Sequence, residues 1–115
     1  MKILVTASGN DLNAPLDSRF GRAANFIIYD LDTDAWSVID NRQNVNAAQG
    51  AGIQSAETAV RSGARCLVTG HCGPKAFKVL STAGVRVFYS KALTVSDALK
   101  EYRAGTLAEA ASAET

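Results

Sequence analysis

The chain has 115 residues, 47% of them hydrophobic and 20% charged, which supports one globular domain with a single core and excludes a disordered chain. Twelve basic and eleven acidic side chains leave a net charge of +1. That total gives no support for a nucleic-acid or membrane-surface protein, and only a local basic patch remains open to it.

The opening MKILVTASGND has too short an apolar run for a signal peptide, and no segment approaches a membrane span. Lys2–Ala7 reads as a strand whose continuous Ile3-Leu4-Val5 run suits a central position buried on both sides. Ser8–Arg22 is polar, contains Gly9, Pro15 and Gly21, and reads as a long loop. Asn25–Asp30 and Trp36–Asp40 flank the acidic turn LDTDA and form a hairpin signal. Asn41–Gly52 is expected to be a mobile loop. From Ile53 the apolar residues Ile53, Ala56 and Val60 recur at helical spacing, with Gly63 as the stop.

Arg65–Thr69 is the next strand. Pro74 then opens a helix with Phe77 and Leu80 on its buried side and Gly84 after its end. Val85–Tyr89 is a strand, and Thr94 with Asp97 caps a helix striped by Val95, Ala98, Leu99 and Tyr102 and ended by Gly105. The element order β-β-β-α-β-α-β-α gives a single-domain α/β fold over residues 1–105. Its mixed five-stranded sheet is flanked by helices: the first three strands form an antiparallel meander, and the later strand–helix–strand unit is parallel and right-handed. Residues 106–115 read as a flexible tail. Ligands of such sheets favour the carboxyl ends of the parallel strands, which brings Ser8–Arg22 towards the turn after Thr69.

That turn, TGHCGPKAF from Thr69 to Phe77, carries the most chemistry. It sets His71 and Cys72 at the N-terminus of a helix, where unpaired N–H groups favour anions and ionised thiols. Cys72 is expected to be exposed by its Gly73-Pro74 flank and to serve as a ligand, with His71 beside it as a ligand or hydrogen-bond donor. Thiolate and imidazole together suit copper or iron better than magnesium. Cys66 sits inside the apolar run CLV and reads as core. Two cysteines make no disulfide framework, so reduced thiols in a cytoplasm are expected. One cysteine and one histidine do not cage an ordinary iron–sulfur cluster. A preassembled anionic cluster needs mainly positive charge and N–H donors. Arg19, Arg22, Arg42 and Lys75 are the candidates for that charge, with about half expected to face the site. Asn44, Asn46 and Gln49 are possible donors to sulfide.

Three segments in order, LDSRFGRAANFIIYD, QGAGIQSAE and VTGHCGPKAFKVLSTAGVRVFYS, resemble the dinitrogenase iron–molybdenum cofactor biosynthesis family over roughly residues 2 to 105. That family includes nitrogenase cofactor carriers and small orange proteins with a molybdenum–copper sulfide cluster. The resemblance implies a ribonuclease-H-like fold and a non-enzymatic carrier of a metal–sulfur cluster, of molybdenum–copper sulfide or iron–molybdenum–sulfur type. The chain is expected to be a monomer, with a protein donor or acceptor of the cluster as its partner. The resemblance further implies that Arg19, Phe20, Gly21 and Arg22 match the RFGR-type segment. Gly50 and Gly52 match the glycine-rich turn, and Gly70, Cys72, Gly73 and Pro74 match the glycine–cysteine–glycine–proline segment. Nitrogenase carriers have a histidine where this chain has Arg19, which weakens the resemblance to an iron–molybdenum cofactor carrier specifically, and the short form of the chain fits the orange-protein branch at least as well.

Three other functions compete. A phosphatase with Cys72 as nucleophile is opposed by Lys78 standing where an arginine belongs and by Pro74 interrupting the N–H cradle. A two-metal nuclease is opposed by the acid-free strand KILVTA, since Asp30, Asp32 and Asp34 gather at a hairpin turn. An interaction domain that binds no cluster is the third, distinguished from a carrier by remaining colourless.

Overall fold

The computed structural model describes residues 1–45 and 50–111. Five strands make one sheet in the order β3-β2-β1-β4-β5: β1 Lys2–Ala7, β2 Asn25–Asp30, β3 Trp36–Asp40, β4 Cys66–Thr69 and β5 Arg86–Tyr89. The three N-terminal strands pair antiparallel, whereas β1 with β4 and β4 with β5 pair parallel. The central place of β1 follows from its composition. Ile3, Leu4 and Val5 are all fully buried because helices cover both faces of the strand.

The helices are α1 Arg42–Val45, α2 Ala51–Arg61, α3 Pro74–Thr82 and α4 Val95–Ala104. On one face, Ala56, Ala59, Ala76 and Leu80 of α2 and α3 pack against Leu4, Phe26, Ile28, Leu67 and Val87. On the other, Val95, Ala98 and Leu99 of α4 pack against Ile3, Val5, Ile27, Val68 and Phe88. Alternate residues of each strand thus serve two cores. The expected cap on α4 is present, with the Asp97 N–H donating to Thr94 Oγ1 at 3.1 Å.

Three details differ from the sequence reading. Phe20–Arg22 is a 3-10 turn within the first long loop, and Arg42–Val45 is a short helix within the second. The chain after Gly105 also folds back on the sheet as far as Ala111. The Ala110 N–H donates to Val87 O at 2.8 Å, Glu109 pairs with Arg86, and Leu107 and Ala110 pack on the two cores. The tail expected to be flexible from residue 106 is therefore an edge cover for β5 up to that point, and residues 112–115 lie outside the described part. No helix among the described residues is long and apolar enough to cross a membrane.

Candidate functional site: a cleft between two helix N-termini

The loop after β1 is tied across the carboxyl ends of the central strands. The Asp17 N–H donates to Thr6 O, and the Phe20 N–H donates to His71 O, both at 3.0 Å. The buried Thr6 hydroxyl donates to Asp17 O at 2.6 Å and shares a hydrogen bond of 2.9 Å with the Thr69 hydroxyl. Gly70 lies so close to Ser18 that a Cβ there would stand 2.8 Å from Ser18 Cα. These contacts fix the 3-10 turn Phe20–Arg22 beside the N-termini of α2 and α3. Phe20 anchors it from below, buried and stacked on Phe26 with ring centroids 5.4 Å apart.

Between the turn and the two helices is an open cleft of about 420 Å³. Gly21 and Arg22 of the turn line it, with Gly50, Ala51, Gly52 and Ile53 of α2 and Gly73, Pro74, Lys75 and Ala76 of α3. Its volume falls within the range of roughly 300–1,000 Å³ typical of small-ligand sites. Two of the lining side chains are basic and none is acidic. Both helices start on a glycine cap, Gly50 and Gly73, and neither has an acidic residue in its first turn. The first N–H of α2 bonded along the helix axis is that of Gln54, to Gly50 O at 2.9 Å. In α3 it is that of Phe77, to Gly73 O at 3.0 Å. The amides before them, at Gly52, Ile53, Lys75 and Ala76, have no partner within their own helix. Two positive helix ends thus open on one basic cleft, an arrangement whose electrostatics favour an anion.

Seven of the twelve residues singled out from the sequence meet here: Gly21, Arg22, Gly50, Gly52, Gly73, Pro74 and Lys75. The other five do not line the cleft. Phe20 is core, and Gly70 provides the close approach to Ser18. Arg19 is exposed, with its Nε 3.9 Å from an Asp17 carboxylate oxygen. His71 is half-buried and joins the loop through its backbone. Cys72 requires a correction. It is 1% exposed, packed in the core under α2 and α3 rather than presented on a turn. Burial pushes its thiol up from the ordinary 9.0 to about 11, so it is a neutral thiol, with its Sγ 3.7 Å from Gly73 O. The helix end does not ionise a sulfur that is shielded from water.

Arg42 is also turned elsewhere, its guanidinium gripping Asp40 with Nη2 at 2.7 Å and Nε at 3.1 Å from the carboxylate. Asn44 donates to Asn41 Oδ1 at 2.7 Å, within a buried network that pins α1 to α2. Asn46 and Gln49 lie outside the described residues. Cys66 is core as expected, with its Sγ 3.2 Å from the Tyr102 hydroxyl. The sequence reading missed Ala51, Ile53 and Ala76, which carry no polar side chain and contribute through their backbone.

The site offers no ligand set for a bare ion: no group of three or more His, Cys, Asp or Glu able to hold a metal occurs among the described residues. Its donors are N–H groups and two cations. They fit a preformed anion whose metals are already coordinated by its own sulfides, and they do not fit a cluster held by protein thiolates.

A family model described as dinitrogenase iron-molybdenum cofactor matches residues 1–105. The chain is 26% identical over 110 residues to an uncharacterised protein of Methanocaldococcus jannaschii, covering 93% of this chain and 89% of that protein. The apo form of the orange protein from Desulfovibrio gigas superposes with a TM-score of 0.95 at 40% identity, over 99% of this chain and 96% of that one. A protein from Thermotoga described as a NifB candidate of the DUF35 family gives 0.83 at 31% identity, over 94% and 91%.

Proposed function

This chain belongs to the dinitrogenase iron-molybdenum cofactor family, and from that premise we propose that it binds and carries an anionic metal–sulfur cluster as cargo, without catalysing a reaction. The observation that carries this reading is the convergence of two glycine-capped, acid-free helix N-termini on a cleft lined by Arg22 and Lys75. The 40% identity to a small orange protein with almost complete mutual coverage favours a cluster of molybdenum–copper sulfide type over an iron–molybdenum one.

Each part of the cleft has a separate task. Lys75 and Arg22 supply the positive field that attracts a multiply charged anion. The amides of Gly52, Ile53, Lys75 and Ala76 donate hydrogen bonds to terminal sulfides and orient them. Ile53, Ala51 and Ala76 supply an apolar wall that keeps water from the metal–sulfur bonds. Cys72 acts from beneath, as packing under the first turn of α3, and His71 holds the 3-10 turn through its carbonyl. A neutral, buried thiol is also a poor nucleophile, which opposes the phosphatase alternative. Both cysteines are free thiols, which suits a reducing cytoplasm. Delivery from an open cleft involves a protein donor or acceptor that meets the monomer at this end of the sheet.

Anaerobic reconstitution tests the reading. Protein incubated with tetrathiomolybdate and cuprous ion, then desalted, is expected to keep visible charge-transfer bands at one cluster per chain. A colourless, metal-free protein after desalting would contradict the proposal and favour an interaction domain.

A further inference from the structure

Glycine surrounds the cleft, and the protein itself explains only some of it. A Cβ on Gly21 would stand 3.0 Å from Gly52 Cα, and one on Gly70 would stand 2.8 Å from Ser18 Cα. Gly50 holds a left-handed φ of 77°. Close backbone approach or conformation therefore demands glycine at these three positions.

Gly52 and Gly73 are different. Gly73 has φ −70° and ψ 166°, an extended conformation open to any residue. A Cβ there meets no atom of the described residues within 4 Å. Gly52 lies in the first turn of α2, and a Cβ there would make only an ordinary 3.6 Å contact with Ala76 Cβ. Glycine is among the poorest helix formers, and Ser, Asp or Asn caps a helix better. Neither position gains stability from its glycine, yet both line the cleft, one on each helix.

We propose that Gly52 and Gly73 are specificity-determining residues, which keep the two helix N-termini bare for a large polyatomic anion. Such a guest rests directly on the backbone N–H groups of both helices, at a distance that a methyl group would not allow. This rests on the carrier reading above and adds what selects the guest: close access to backbone on two opposed walls. A carboxylate at position 73 would act twice, capping the amides of α3 itself and repelling an anion.

The test compares wild type with Gly52→Ala, Gly73→Ser and Gly73→Asp, each titrated anaerobically with tetrathiomolybdate and cuprous ion and each melted without them; serine replaces Gly73 because alanine is a poorer N-cap than glycine. Gly52→Ala and Gly73→Ser are expected to melt at or above the wild-type Tm while Kd rises by about tenfold or more. Gly73→Asp is expected to raise Tm and abolish binding. A lower Tm in Gly52→Ala or Gly73→Ser would overturn the inference, because the fold would then require glycine there. So would a rise in Kd of less than about tenfold in a wild-type background that binds. A wild type that binds nothing would overturn the carrier reading and this inference together.

Discussion

Cys72 allows the sharpest separation between a site built on a thiolate and one built on backbone amides. Its thiol is 1% exposed and raised from 9.0 to about 11 by burial. At pH 8 the thiolate fraction is then about 100-fold below that of an unperturbed cysteine, since each unit of pKa is a factor of ten. Iodoacetamide alkylation at pH 8, read by mass spectrometry of the peptide containing Cys72, should run at least about 100-fold slower in the folded protein than in urea. Shielding from the reagent slows it further. The same shift has a consequence for stability. The unfolded chain loses the thiol proton first, so the contribution is intact below pH 9 and is lost as pH rises towards 11. The two-unit gap corresponds to about 2–3 kcal/mol. Tyr102, pushed up to about 12 by burial and by its bond to Cys66, adds to alkaline loss with the same sign. Urea melts at pH 8 and pH 10.5 should show this fall, and Cys72→Ala should flatten it. Alkylation of the folded protein as fast as in urea would refute the argument and restore Cys72 as an accessible ligand.

Other perturbations separate the scaffold from the site. Lys75→Glu reverses a charge in the first turn of α3. An acid there gains about 0.3–1 kcal/mol from the helix dipole, so Tm should hold or rise while thiometallate binding, followed by absorbance titration, weakens by at least about tenfold. Asn41 is fully buried and donates to Ala23 O at 2.9 Å while accepting from Asn44. Asn41→Ala strands those partners and should cost about 2–4 kcal/mol in urea denaturation, whereas an effect under 1 would show that water replaces the bonds. Thr94→Ala removes the α4 cap and should cost about 1 kcal/mol by the same assay, with cluster binding unchanged.

The sheet was legible because its signals are local. The unbroken Ile3-Leu4-Val5 run marked the central strand, and the apolar segments either side of LDTDA marked the hairpin. The helix from Pro74 was legible for the same kind of reason: proline at its start fixes φ and glycine after its end permits a left-handed turn. What escaped depends on distant partners. Arg42–Val45 is helical where Asn41 and Asn44 reach Ser55 and Thr58 across the chain, and no repeat of apolar residues announces so short an element. The Ala- and Glu-rich tail has no apolar period, yet it gains order by pairing with β5. Cys72 was misplaced because Gly-Cys-Gly-Pro reads as an exposed turn. In the fold it belongs to the core cluster that also holds Phe20 of the 3-10 turn and Ala76 and Leu80 of α3, partners that no local pattern announces. For the cleft, the glycines and Lys75 were visible as a pattern. The contribution of Ala51, Ile53 and Ala76 was not, since backbone donors leave no mark in side-chain identity.

Backbone amide shifts, followed by two-dimensional NMR during anaerobic addition of tetrathiomolybdate and cuprous ion, test the central claim most directly. The largest movements should fall on Gly52, Ile53, Lys75 and Ala76, with β3 and the α4 C-terminus unmoved. Shifts centred on any other surface, or a spectrum that does not change, would contradict an anion seated between the two helix ends.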